Sequence, residues 1–312
     1  METEKTKSDS GQASLQGEGE VLSNPTVECA SPDNLKNLRA AEFAGQQSGQ
    51  KTNIERDLIR TIHHFACTGG TLFSKCIAAM DKTMVLNEVN PFFRYSTKGK
   101  GVRFTPTDLI SLGHQSGEDL DAKVVQNMFL TSLEILQEEA CRTGRALVIR
   151  DHIHSQYLVR EPLSFMETTL GLVKTRFSVK SLVTVRDPID SFLSLERNGW
   201  VDQFQPSTFD EYCARYLKFL SDFKGVPIIR FEDFISHPKR VMREICEILN
   251  LSYDDSFQNH FSSFRFSGDS GRTGSEISER PRLEVSEEFL RAVSASDKYI
   301  ELANLNGYGI LQ

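Results

Sequence analysis

The chain has 312 residues, 39% of them hydrophobic and 25% charged, and a formal net charge of -7. That length and mix build a packed globular core, while no apolar run approaches the roughly 20 residues that span a bilayer, and the acidic balance excludes nucleic acid as the main partner. The cysteines Cys29, Cys67, Cys76, Cys141, Cys213 and Cys246 lack metal-ligand spacing, and the polar start METEKTKSDS lacks the apolar stretch of a secretory signal, so reduced thiols in a cytoplasm are expected.

Residues 1–52 are rich in Ser, Gly, Gln, Glu, Asn and Lys. Such a composition buries too little apolar surface to offset ordering entropy, which predicts a disordered or loosely docked leader ahead of a single domain at 53–312. Within the leader, Ser31-Pro32 can cap a short helix carrying Leu35, Leu38 and Phe43.

The domain opens on IHHFACTGGTLFSKCIAAM, residues 62–80, a strand, a glycine turn and a helix. Phe65 and Ala66 end the apolar run, Thr68-Gly69-Gly70-Thr71 turn the chain, and Leu72, Phe73, Cys76, Ile77 and Met80 recur at helical spacing. A turn without bulky side chains bares N–H groups at a helix N-terminus, which suits an anion; a tight connection with no ligand is the alternative. A second strand at 83–87 runs into Glu88 before Pro91 stops it. Residues 92–114 follow, with Arg94, Lys98, Lys100 and Arg103 among aromatics, either a basic lid or a solvated connection.

An amphipathic helix at 118–142, stopped by Gly144, leads to an apolar strand at 146–149 that delivers Arg150, Asp151, His152 and His154 at its exit. The next strand, 179–185, ends in Arg186-Asp187-Pro188, with the proline suited to a first helical turn. Thr208 and Glu211 form a capping box, 226–231 is the fifth strand, Pro238 opens a helix with an apolar stripe, and a helical region at 286–304 closes the chain. Strands alternating with helices predict an α/β fold, a P-loop-like parallel sheet of about five strands covered by helices on both faces, with ligands at the strand C-terminal ends. Strand order is not legible.

The glycine turn at 62–80, VRDPIDSFLS at 185–194 and IIRFEDFISHPKRVMREICEILNL at 228–251 together resemble the cytosolic-type sulfotransferase superfamily. The resemblance spans most of 60–282, and its most specific part is the Arg-Asp-Pro…Ser spacing. It implies transfer of a sulfuryl group from 3′-phosphoadenosine 5′-phosphosulfate (PAPS) to a hydroxyl or amine of a small-molecule or glycan acceptor, with no metal. Carried over, Thr68, Gly69, Gly70 and Thr71 hold the 5′-phosphosulfate, Arg186 and Ser194 the 3′-phosphate, and Gly271 and Arg272 belong to a late nucleotide-covering loop; within that Gly/Ser/Arg stretch, Arg272, Arg280 and Arg282 can clamp an anion. Cys67 occupies the place where the family carries a loop cation, and Lys75, one turn into the helix, is the candidate substitute. Glu88 and His152 fill the two places from which the family draws its base, with Glu88 preferred. Glu232 and Asp233 read as structural, as do His63, His64 and His154, and the phenylalanines from Phe257 to Phe266 as core. The alternatives are a catalytically inactive nucleotide-binding or interaction protein of the same fold, favoured by Cys67, and a P-loop kinase, disfavoured because G-x-x-x-x-G-K-[ST] is absent.

Overall fold

The computed structural model describes residues 56–93, 106–116, 119–160, 167–268, 276–279 and 281–310, all inside one compact unit, Lys51–Gln312. The expected leader, the basic residues Arg94, Lys98, Lys100 and Arg103, and Gly271, Arg272 and Arg280 lie outside the described residues.

Strands β1 (Leu58–His64), β2 (Thr83–Val89), β3 (Ala146–Asp151), β4 (Ser178–Val185) and β5 (Ile228–Arg230) form one sheet in the order β2-β3-β1-β4-β5, every neighbouring pair parallel. The described helices are α1 (Gly70–Ala78), α2 (Leu109–Gln115), α3 (Ala122–Arg142), α4 (His154–Tyr157), α5 (Thr169–Lys174), α6 (Pro188–Arg197), α7 (Phe209–Asp222), α8 (Phe231–Ser236), α9 (Pro238–Leu249), α10 (Phe257–His260), α11 (Glu287–Ser294) and α12 (Asp297–Asn306). Among the described residues no helix is long and apolar enough to cross a membrane.

Side chains alternate along a strand, so each strand feeds two layers. Ile62, Val148, Leu182 and Ile229 pack against Phe73 and Ile77 of α1 and Val241, Ile245 and Leu249 of α9. On the opposite face Ile59, Leu147 and Ile149 meet Leu133 and Ala140 of α3, while Val183 and Val185 meet Tyr216 and Phe219 of α7. Each such fully buried apolar side chain contributes about 1.5–3 kcal/mol, which holds the layers together.

Polar residues on these buried strands find partners. Arg60 donates through Nε to Leu249 O at 2.7 Å and through Nη2 to Asn250 O at 3.1 Å, so a buried cation satisfies the C-terminal carbonyls of α9. Beneath the other face, Asp151 Oδ2 meets His63 Nδ1 at 2.9 Å and Asp151 Oδ1 accepts from Thr169 at 2.8 Å. His63 Nε2 reaches Thr61 at 2.8 Å, and Thr61 pairs with Ser181 at 2.7 Å, a chain that ties β3 and α5 to β1 and β4.

Helix ends follow the sequence signals. Asp187 caps α6 by accepting from Ile189 N and Asp190 N with Pro188 in the first turn, and Thr208 caps α7 through Glu211 N. Gly144, at φ +68°, ends α3. Other expectations shift: β1 starts at Leu58 instead of 62, α3 starts at Ala122, β5 is three residues long because Phe231 already begins α8, and α2 falls inside the segment read as a connection.

The chain leaves β1 toward β2 on one side of the sheet and leaves β4 toward β5 on the other. Diverging connections open a crevice at the carboxyl ends of these two neighbours, the place where open α/β sheets bind ligands.

Candidate functional site

A cavity of about 700 Å³ lies at that crevice, lined by Gly69, Gly70 and Thr71 on one strand's exit and by Arg186 and Ser194 on the other's. After His64 the chain turns through Cys67, at φ +59°, and Gly69, at φ +88°, into α1. Thr68 stabilises the turn, its hydroxyl donating to Phe65 O at 2.8 Å. No side chain caps α1, whose first turn closes on Gly69 O through Leu72 N at 2.9 Å. Gly69 is required by close approach as well as by its backbone conformation, Gly70 by close approach alone. A Cβ at Gly70 would lie 2.1 Å from the His64 ring, and one at Gly69 would lie 2.3 Å from the Phe231 ring. The result is a bare helix N-terminus with N–H groups open to an anion.

Arg186, leaving β4, donates through Nη1 to Cys67 O at 3.2 Å and to Ser194 Oγ at 3.3 Å, and its guanidinium lies 5.0 Å from the Phe231 ring centre. The fork and the hydroxyl, eight residues apart in sequence, therefore sit side by side in the cavity wall. Behind them Glu232 accepts from Asp187 N at 2.9 Å and from Tyr308 Oη at 3.0 Å, and burial pushes its pKa up. Glu232 is thus a brace for the start of α6, and Asp233 is exposed. Arg282 pairs with Asp187 at 3.0 Å and Asp190 at 2.8 Å, so it reinforces the same helix start instead of standing open as an anion clamp.

The opposite wall is built on Arg150, only 4% exposed. Its Nε donates to His64 Nε2 at 2.9 Å, Nη1 to Asn87 Oδ1 at 2.8 Å and Ser267 O at 3.2 Å, and Nη2 pairs with Glu88 Oε1 at 3.3 Å. Glu88 sits at φ +56°, where the β2–β3 register shifts between Leu86 and Val89, and this irregularity turns its carboxylate into the cavity. Because His64 Nε2 accepts, its proton is on Nδ1, which is buried with no partner; burial first, then Arg150, drive the His64 pKa well below 6.5. His152 packs edge-on against Phe93 at 4.9 Å. Burial lowers its pKa, opposed by the charges of Glu88 and Asp151 and aided by that of Arg150. His154, edge-on to Trp200 at 5.6 Å, is pushed down to about 3, chiefly by burial. Both rings present neutral imidazole to the cavity at neutral pH.

Lys75 lines the cavity from α1 and is buried, on the face that carries Thr71. Cys67 is a neutral thiol, its pKa pushed up to about 11 by burial. Thr71 Oγ1 donates to Gly268 O at 2.9 Å and Asn87 Nδ2 to Ser267 Oγ at 2.6 Å, so the segment ahead of the late loop crosses the cavity mouth. Phe257 and Phe261 are core, as expected, whereas Phe264 and Phe266 are half-buried and line the cavity. The site therefore unites Thr71, Gly69, Gly70, Lys75, Glu88, His152, Arg186 and Ser194, while Thr68 lies just beneath, fully buried. Sequence reasoning gave Arg150 no more than a supporting part. A cation directly after a buried apolar strand must be paired, and that was the signal available.

No protein-family model matches the chain, and no curated protein matches it in sequence. Solved structures do. A sulfotransferase domain from the curacin biosynthetic pathway is 17% identical, with a TM-score of 0.50, over 81% of this chain and 98% of its own. The sulfotransferase domain of the Synechococcus PCC 7002 olefin synthase is 15% identical, with a TM-score of 0.52, over 85% of this chain and 100% of its own. The likeness is one of fold, and the fold of this chain is that of the sulfotransferases.

Proposed function

We propose that the chain is a sulfotransferase that moves a sulfuryl group from PAPS to a hydroxyl or amine of a small-molecule or glycan acceptor. The observation that carries this reading is the Arg186–Ser194 pair, joined at 3.3 Å, in the same cavity as an uncapped, glycine-lined helix N-terminus. A guanidinium fork beside a hydroxyl fits a phosphate monoester, and bare N–H groups fit a second anion. Two such sites in one cavity match a nucleotide with phosphates on both its 3′ and 5′ positions. The N–H groups stay bare because no side chain caps the helix and a Cβ at either glycine would run into the His64 or Phe231 ring.

Bound there, the donor supplies an activated sulfur, and the protein supplies orientation and proton transfer. Thr71 and the N–H groups at the start of α1 hold the phosphosulfate, and Lys75 adds charge from the same helix. His152 takes the acceptor's proton. Its imidazole is neutral because burial holds its pKa below 6.5, and the Glu88 charge nearby stabilises the imidazolium that forms. Glu88 itself is engaged by Arg150 at 3.3 Å, which shifts the preferred base from Glu88 to His152. The free thiols among the described residues, three of them buried, favour a reducing compartment, and we assign the protein to the cytoplasm.

A second reading, a nucleotide-binding protein without turnover, is favoured by the neutral Cys67 in the loop. Incubation with sulfur-labelled PAPS and a panel of phenol, alcohol, amine and glycan acceptors separates the two. Label moving to an acceptor as 3′-phosphoadenosine 5′-phosphate accumulates supports the enzyme; nucleotide binding with no label transfer across the panel supports the second reading.

A further inference from the structure

The glycine turn contains no cation, and a helix N-terminus supplies only about half a positive charge to an anion. A 5′-phosphosulfate, and still more the phosphate left when sulfuryl departs, requires more than that. Of the cations that line the cavity, most are committed. Arg150 is bound to Glu88, His64 and Asn87; Arg282 to Asp187 and Asp190; Arg186 to Ser194 and Cys67 O. Lys75, buried, lines the cavity from α1 and adds charge from the helix side alone. Arg197 and Arg265 line the cavity and are exposed, and neither side chain has a hydrogen bond or ion pair among the described residues; of the two, only the charge of Arg197 acts on Cys67 at the entrance of the turn.

Its position ties it to the loop. Arg197 ends α6, three residues after Ser194 and so on the same side of the helix. The next residue, Asn198, contacts Cys67, with Nδ2 at 3.8 Å from Sγ, which seats the end of α6 against the entrance of the glycine turn. The charges of Arg186 and Arg197 both act on the Cys67 thiol, against the burial that raises its pKa.

We propose that Arg197 pairs with the 5′-phosphoryl end of the donor and is the cation that meets the charge leaving with it. The assignment rests on the PAPS reading of the site. In the step it serves, the acceptor oxygen or nitrogen forms a bond to sulfur and passes its proton to His152. The bond from sulfur to the bridging oxygen breaks, and its electron pair stays on that oxygen, now part of the 5′-phosphate of the product. Arg197 neutralises that oxygen as the bond lengthens.

Calorimetric titration of the full chain with 3′-phosphoadenosine 5′-phosphate, adenosine 5′-monophosphate and adenosine 3′-monophosphate tests this without knowledge of the acceptor. Arg197→Ala should weaken both 5′-phosphorylated nucleotides by at least about tenfold and leave the 3′-monophosphate within about twofold, whereas Arg186→Ala should weaken the bisphosphate and the 3′-monophosphate and leave adenosine 5′-monophosphate within about twofold. Adding Cys67→Lys to Arg197→Ala, a cation at the loop entrance, should recover most of the lost affinity. A wild-type protein that binds the bisphosphate while Arg197→Ala binds it equally well overturns the role of Arg197 alone. Loss of the 3′-monophosphate in Arg197→Ala to the same degree also overturns it. A wild-type protein that binds none of the three overturns the donor reading together with it.

Discussion

Gly70 shows how one hydrogen atom in place of a methyl group decides the site. Its φ is ordinary, so the backbone alone would accept alanine, but the added Cβ would lie 2.1 Å from the His64 ring, and that ring is held by Arg150 at 2.9 Å. Gly70→Ala should therefore destabilise the fold by about 1–3 kcal/mol, as overpacking does, read from urea unfolding. Unchanged stability would mean that His64 moves freely under the turn. On the proposed reading, His152 and Glu88 divide the proton chemistry. His152→Ala should lower kcat by about 10²–10⁴-fold with nucleotide affinity intact, while Glu88→Gln should leave a base in place and move the acid limb of the kcat profile to lower pH, because the Glu88 charge raises the His152 pKa. If Glu88→Gln abolishes turnover and His152→Ala stays within a few-fold of wild type, the assignment is reversed. Residue identity alone favoured Glu88, both side chains being chemically competent; what speaks for His152 is the contact of Arg150 with Glu88, which arises only through folding.

Elements were legible where a local signal specified them. Asp187-Pro188 and Thr208 cap the helices they were expected to cap, and Gly144 ends α3. The start of β1 was not, because Arg60, Thr61 and His63 interrupt its apolar pattern with side chains whose partners are distant in sequence. Arg60 answers to Leu249 and Asn250, and His63 to Asp151. Short α2 and α8 escaped for a different reason: one or two turns carry too few apolar positions to show a period. The His63–Asp151 pair, with no exposure of either side chain, gives a test at this scale. Asp151→Ala strips the buried ring and Thr169 of their acceptor and should cost about 3–5 kcal/mol in chemical unfolding. A cost below about 1 kcal/mol would show that the polar chain under the sheet carries no stability.

For the molecule as a whole, the alternation of strand and helix revealed the layered class, whereas the order β2-β3-β1-β4-β5 depends on long-range pairing that no local pattern encodes. That order is what brings the exits of β1 and β4, 120 residues apart in places such as Thr61 and Ser181, into one crevice. The cavity's histidines also set a whole-molecule pH response. His64, His152 and His154 all have pKa values lowered from 6.5, that of His154 to about 3, chiefly by burial, so the unfolded chain binds their protons first. Stability from these groups is complete above about pH 6.5 and is lost as pH falls from there toward the folded-state values. Melting temperature should decline through that window, and His154→Gln should flatten the decline; an unaltered slope would count against the burial of that ring as its cause.

On the proposed reading, Arg186 and Ser194 read a 3′-phosphate, which separates a PAPS site from an ordinary nucleotide site. Calorimetry with 3′-phosphoadenosine 5′-phosphate and adenosine 5′-monophosphate, on wild type and Arg186→Ala, measures it directly. Wild type should bind the bisphosphate at least about tenfold more tightly, and Arg186→Ala should erase the difference, as loss of a charge-assisted contact of about 1.5–3 kcal/mol requires. Equal affinity of the wild type for the two nucleotides would contradict it.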